Sequence, residues 1–392
     1  MKKICLIFIL FIGVICFFTQ SIYAQSNDNL PELHSESAIV LEASSGKVLF
    51  EKNATKEMYP ASLTKIATAI YAIEKGNMED VVTVSEKARH IEGTTVYLEE
   101  GEQVRLKKLV QGLLINSGND AAVAIAEHLS GSEKQFSSDL NEYLQNEVGV
   151  SHTNFENSSG LFNEKHVTTA ADLANITQYA MNNSLFREIF GTKELKWVGE
   201  SWDTTLLTHH LLLDEMPYEG ITGGKTGFVN KSGFTLATTA SRNNLNVIVI
   251  TMKTNFKSEM YKDTTNLLDY VFDHFITSKI AAGTIFQIED EEYKTTKDLE
   301  YTYSKEDQIQ TEIKKGGILH IKNQDGDPIT TFALERLKQE ENEEAISTSE
   351  HTQSDKNGLE SYTKIFFCFV LVIGVGFFAI RKIRKRKSKF KY

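Results

Sequence analysis

Cysteine is nearly absent. The 392 residues hold three, and all three lie in apolar runs at the two ends: Cys5 and Cys16 near the N-terminus, Cys368 near the C-terminus. The long stretch between them can form no disulfide, thiolate nucleophile or cysteine-ligated metal site, so it stands on its hydrophobic core alone. No His-Glu-x-x-His pattern occurs, and the adjacent His209 and His210 would diverge on either a helix or a strand, so no metal is expected. No phosphate-binding glycine loop or internal repeat is present, and no cofactor is expected. Basic residues are also scarce in the middle. Setting aside Lys2, Lys3 and the eight basic residues from Arg381 to Lys391 leaves 32 of the 42 basic residues against 53 acidic ones, a balance of −21. A surface of that sign does not seek nucleic acid or anionic lipid.

The two ends read as membrane-directed. Lys2 and Lys3 precede an apolar run over residues 4–18, and Ser21-Ile22-Tyr23-Ala24 offers a cleavage site, so residues 1–24 are read as a secretory signal peptide. An uncleaved anchor is the alternative. The second run, residues 365–380, covers roughly 24 Å as a helix, slightly short of the bilayer core. Lys364 and Arg381 can snorkel to close that gap. We therefore expect a membrane helix over 364–381 and a basic cytoplasmic tail over 382–392, with the rest of the chain outside a single cytoplasmic membrane. Residues 338–363 are rich in Glu, Ser, Thr, Gln and Asn and read as a disordered stalk.

Between these ends, residues 38–43 and 47–51 read as a β-hairpin around Gly46. Ile66, Ala69, Ile70 and Ile73 have helical spacing, with Pro60 at the start and Gly76 at the stop. Helices are expected over 106–115, over 121–129 with Asp120 as N-cap, over 132–148, and over 170–181 capped by Thr168 or Thr169. Two strands follow at 234–240 and 245–252, turned at Asn243-Asn244. A last helix is expected over 264–275. Strands thus frame a helical middle, which predicts an α/β (α+β) fold: a sheet with an inserted helical lobe over 37–280. Short strand candidates at 285–288, 318–321 and 330–334 predict a small β-rich module over 281–337.

Three short motifs carry the chemistry. Ser62-Leu63-Thr64-Lys65 lies at the start of the first helix, where positions three apart share a face and backbone N–H groups lack partners within the helix. Alone it is weak, because Ser-x-x-Lys recurs at Ser44, Ser361 and Ser388. Ser117-Gly118-Asn119 falls between two helices. Lys225-Thr226-Gly227 occurs once, after Gly223-Gly224 and directly before a predicted strand. The combination, its order and its contexts are what is specific.

With these motifs the chain resembles the low-molecular-mass penicillin-binding proteins that are serine-type D-alanyl-D-alanine carboxypeptidases. The resemblance spans about residues 37–275. It includes Asn157-Ser158-Ser159-Gly160-Leu161, the segment from His166 to Ala174, and Gly223 to Phe228. Val229 departs from it, standing where the family often carries Thr, and the β module looks shorter than usual. The resemblance implies a penicillin-binding-protein/β-lactamase-like antiparallel sheet with a helical lobe, followed by the β module and the membrane helix. It implies Ser62 as nucleophile, Lys65 as the expected base, Ser117 as proton relay to the leaving D-alanine, and Asn119 holding Lys65 and the substrate amide. It implies Lys225 and Thr226 as the clamp for the terminal carboxylate, Gly227 as a point of close approach, and the N–H groups of Ser62 and Phe228 as an oxyanion hole. Peptidoglycan stem peptides would be the substrate, and β-lactams would acylate Ser62. His166 and Asp172 are read as loop-bracing. A β-lactamase is the rival enzyme, but no Glu-x-x-Leu-Asn pattern lies between Asn119 and Lys225. A β-lactam-sensing or wall-binding module without turnover is the rival from another class.

Overall fold

The structure is a computed structural model that describes residues 30–200 and 202–337. The predicted signal peptide, stalk, membrane helix and tail lie outside the described residues. Among the described residues, no helix is long and apolar enough to cross a membrane.

The chain opens with the hairpin β1 (Ser37–Glu42) and β2 (Val48–Lys52). A 3₁₀ turn (Ala61–Leu63) leads into α1 (Thr64–Lys75), and β3 (Val81–Thr83), α2 (Glu86–Arg89) and β4 (Gln103–Arg105) follow. The helical lobe continues with α3 (Leu106–Ile115), α4 (Asn119–Ser130), α5 (Glu133–Tyr143), α6 (Ala170–Met181) and α7 (Ser184–Phe190). A hairpin of β5 (Glu194–Val198) and β6 (Asp203–Leu207) precedes β7 (Ile221–Val229), β8 (Gly233–Arg242) and β9 (Leu245–Thr254), and α8 (Lys257–His274) closes this part.

The main sheet has the order β2-β1-β9-β8-β7, antiparallel throughout. Its central strands read as continuous apolar runs because both faces are covered. Alternation then sorts their side chains between two cores. Ile39, Leu41, Ile248, Ile250 and Met252 join the helical lobe, while Ala38, Val40, Val247 and Val249 join α8. The β8–β9 turn falls at Asn243-Asn244, both in the left-handed region at φ 51° and 65°, as a tight hairpin requires.

Three expectations need correction. Asp120 does not cap α4, which starts one residue earlier behind Gly118; its carboxylate instead accepts the N–H groups of Val96 and Leu98 across a loop. The Lys-Thr-Gly motif lies inside a strand, β7, and not ahead of one. The last helix begins at Lys257, seven residues before the predicted start, because its first turns are polar on the solvent side.

The N-terminal segment is stapled to α8. Buried Asp263 accepts the N–H of His34 at 3.1 Å, the N–H of Ser35 at 2.6 Å and the Ser35 hydroxyl at 2.6 Å. Asp263→Ala leaves these donors buried without acceptors and should cost about 2–4 kcal/mol. The check is the urea midpoint of unfolding, read beside the exposed substitution Lys262→Ala, which should barely move it.

Beyond α8 the chain continues as short strands. β10 (Phe275–Ile280), β11 (Ile285–Ile288), β12 (Glu291–Lys294), β13 (Leu299–Ser304), β14 (Gln310–Lys314), β15 (Ile318–Lys322), β16 (Pro328–Ala333) and β17 (Glu335–Arg336) form three small antiparallel groups. Leu299, Leu319 and Ile321 are the centre of a separate small core. Lys47 and Lys305 tie this part to the first, donating to the carbonyls of Thr302 and Phe272 at 2.7 and 2.8 Å.

Candidate active site

The three motifs converge on the edge strand β7. Ser62 lies in the 3₁₀ turn that opens α1, and a Cβ added to Gly227 on β7 would stand 2.9 Å from the Ser62 nitrogen. Lys65, one turn on, is fully buried. Its Nζ is 3.0 Å from Ser62 Oγ, 2.7 Å from Asn119 Oδ1 and 2.7 Å from the Ser159 carbonyl. Asn119 donates its amide to the Glu92 carbonyl at 2.7 Å, which fixes its oxygen toward Lys65. Across the site, Lys225 Nζ donates to Ser117 Oγ and to the Thr226 carbonyl, each at 2.9 Å. Thr226 is half-buried beside it. Phe228 is half-exposed and packs on Phe234, with ring centres 4.5 Å apart.

The electrostatics follow from burying two amines in one place. Burial drives the Lys65 pKa well below its ordinary value, the positive charge of Lys225 drives it further, and Asp120 opposes. Burial alone brings Lys225 down to about 7.

The backbone around the nucleophile is held in unusual geometry. Ala61 and Ser117, neither a glycine, sit in the left-handed region at φ 49° and 61°. A relay of hydrogen bonds braces Ala61. The Glu156 N–H donates to His166 Nδ1, so this neutral ring must carry its hydrogen on Nε2 and donate to Thr64 Oγ1, 2.8 Å away. The Thr64 hydroxyl then donates to the Ala61 carbonyl at 2.9 Å. Burial first, then Lys65, lowers the His166 pKa to about 3, which keeps the ring neutral. Thr235 adds a bond to the Pro60 carbonyl at 3.0 Å. Gly160, at φ +90°, presses against the Ala61 carbonyl so closely that any Cβ would stand 1.9 Å from it.

Comparison with known proteins decides the family. Residues 24–255 match peptidase S11, the D-alanyl-D-alanine carboxypeptidases. The chain belongs to this family. It is 32% identical over 286 residues to the D-alanyl-D-alanine carboxypeptidase DacF of Bacillus subtilis, covering 71% of this chain and 72% of that one. It is 30% identical over 268 residues to DacA of Escherichia coli, covering 63% of each. Penicillin binding protein 5 from Haemophilus influenzae shares the fold with a TM-score of 0.69 at 25% identity, over 79% of this chain and 98% of that one.

In this carboxypeptidase-family chain, several groups at the site come from outside the three catalytic motifs, Ser159 and Gly160 among them, although both lie in the 157–161 segment that shares in the resemblance. The Ser159 and Glu92 carbonyls are backbone acceptors, to which any residue type would serve. Thr235 reaches the site from β8 and Gly160 from a loop about a hundred residues past Ser62; only the fold brings them there. Asp172 braces a loop, accepting from the His152 N–H and the Thr153 hydroxyl at 2.8 Å each. His210 is buried behind β7 with Nε2 2.8 Å from Thr238 Oγ1, its ring filling the space that a Gly224 side chain would need.

Proposed function

We propose that this chain is a serine-type D-alanyl-D-alanine carboxypeptidase that removes the terminal D-alanine from peptidoglycan stem peptides through an acyl-enzyme on Ser62. The observation that carries this reading is the bonding of Lys65. A neutral amine has two hydrogens and one lone pair. Asn119 Oδ1 and the Ser159 carbonyl can only accept, so they take both hydrogens. The lone pair then faces Ser62 Oγ, the one neighbour able to donate. Lys65 is therefore poised to take the Ser62 proton as the hydroxyl attacks the penultimate carbonyl.

The remaining residues take complementary parts. The N–H groups of Ser62 and Phe228 receive the oxyanion. Ser117, bonded to Lys225, passes a proton to the leaving amine. Lys225 and Thr226 hold the terminal carboxylate, and Asn119 holds Lys65 and the substrate amide. Water then hydrolyses the ester. β-Lactams, which mimic the substrate, acylate the same serine. The apolar runs at 4–18 and 365–380 support a secreted enzyme anchored by a C-terminal helix to the cytoplasmic membrane.

The division of protons between the two lysines gives a test. Activity requires Lys65 neutral and Lys225 charged. The kcat/KM profile for a D-Ala-D-Ala peptide should therefore be bell-shaped, falling on the acid side as Lys65 gains its proton and on the alkaline side as Lys225 loses its own near pH 7. A bound carboxylate stabilises the Lys225 ammonium, so the alkaline limb of kcat should lie higher than that of kcat/KM. Lys225→Arg, which does not titrate, should lower the maximum and remove the alkaline limb. An alkaline limb that stays in place in this variant would contradict the assignment.

A further inference from the structure

A second charged site lies at the far end of α3. Ser117 follows the C-terminus of this ten-residue helix, so its N-terminus is roughly 15 Å away. There a cavity of about 320 Å³ opens between α3 and the β5 strand. Four cations line it, Arg105, Lys107, Lys108 and Lys196, against a single carboxylate, Glu79. This is the reverse of the chain's overall balance of −11.

The pairing of these charges is incomplete. Arg105 meets Glu79. Lys108 lies over the Trp197 ring, 4.5 Å from its centre, and donates to the Val198 carbonyl. The side chains of Lys107 and Lys196 have no hydrogen bond or ion pair among the described residues. The first two amides of α3 are already taken by the carbonyls of Asp80 and Met78, so it is the side chains that define the site. The excess of positive charge left at the cavity gives it a local potential that attracts an anion.

We propose that this cavity binds an oligoanion carrying two or more phosphoryl groups. Lysines act as point charges that can approach tetrahedral phosphoryl oxygens from several sides, and Arg105 adds a planar fork. With Glu79 counted, the lining side chains sum to +3, which suits a diphosphate better than one carboxylate; Lys196 also lines a neighbouring cavity with Glu194 and Asp203. Val198 at the cavity wall and Val81, paired with Arg105 across β3–β4, are each more than half exposed, which leaves apolar surface beside the anion for an aliphatic substituent. The same phosphoryl chemistry can come from a soluble diphosphate or from a lipid-linked head group. This site is separate from Ser62 and does not depend on the reaction assigned there.

The test uses the full chain in neutral detergent. Inorganic pyrophosphate is titrated calorimetrically at low and high salt. In parallel, mixed micelles carrying cardiolipin, whose head group holds two phosphoryl groups, are compared with micelles carrying phosphatidylcholine. The proposal expects saturable binding to pyrophosphate, to the cardiolipin micelles or to both, weakening as salt rises. Lys107→Ala/Lys196→Ala should weaken it at least about tenfold, and Lys107→Arg/Lys196→Arg should keep it within about threefold. Both lysines are solvent-accessible and unpaired, so the variants should fold, and D-alanine release should be unchanged. Binding to pyrophosphate alone assigns a soluble ligand, and binding to the anionic micelles alone assigns a lipid-linked one. Absence of binding to both, or binding equally strong in the alanine double variant, would overturn the proposal.

Discussion

Lys65→Arg should lower kcat/KM for a D-Ala-D-Ala peptide by about 10²–10⁴-fold, the usual worth of a positioned general base. Arginine can still donate to Asn119 Oδ1 and the Ser159 carbonyl, so the hydrogen-bonded frame around the site keeps its donors. It cannot give up its proton near neutral pH, and so has no lone pair to offer Ser62. Acylation by benzylpenicillin should slow in parallel, because it uses the same proton transfer. The larger guanidinium crowds a fully buried position, and overpacking of this kind costs about 1–3 kcal/mol. Activity must therefore be read at a temperature where the variant is still folded by circular dichroism. A folded Lys65→Arg enzyme within tenfold of wild type would mean that another group takes the proton.

Gly160→Ala should be nearly as damaging, although Gly160 has no side chain to offer. Its added Cβ would stand 1.9 Å from the Ala61 carbonyl oxygen and 3.0 Å from the Ser62 nitrogen, both backbone atoms that have nowhere to go. The turn carrying Ser62 would have to shift by an ångström or more, a displacement that costs on the order of 10²-fold in rate. Strain and crowding together should cost about 2–4 kcal/mol of stability. Gly101→Ala separates the two causes. Gly101 also has a positive φ, +81°, but nothing lies within 4 Å of the added atom. It should cost about 1 kcal/mol and leave kcat/KM unchanged. Equal losses in the two variants would show that strain alone, without the contact to Ala61, explains the effect.

How much of this was legible in the sequence depended on the kind of signal. The strands around Ile39 and Ile248 and the helix from Leu106 to Ile115 were plain, because burial imposes an apolar pattern on them. The start of α8 at Lys257 is not legible because Lys257, Ser258 and Lys262 face solvent and leave no apolar trace. Asp120 looked like a cap by position, yet its carboxylate was committed to the distant loop at Val96 and Leu98. The Lys-Thr-Gly motif reads as preceding a strand because Gly223, Gly224 and Gly227 weaken any strand pattern. The glycines are nonetheless required inside β7, where His210 and the Ser62 turn press against the backbone. At the site itself, Ser62, Lys65, Ser117, Asn119 and Lys225 could be named in advance because their side chains are motif residues. The segments holding Ser159 and His166 share in the resemblance and His166 reads as loop-bracing, but the Ser159 carbonyl bond to Lys65, the Thr235 hydroxyl and the link from His166 through Thr64 to Ala61 each depend on segments that only folding brings together.

The most direct measurement is D-alanine release from a peptide ending in D-Ala-D-Ala, by the full chain and by Ser62→Ala, followed by intact-mass analysis after incubation with benzylpenicillin. Wild type should release D-alanine and gain one covalent penicilloyl adduct on Ser62, and the variant should do neither. D-Alanine release by Ser62→Ala at a rate near that of wild type, or an adduct on another residue, would contradict the assignment of the nucleophile. An adduct on Ser62 with no release by wild type would contradict turnover and leave a protein that binds β-lactams without acting as a carboxypeptidase.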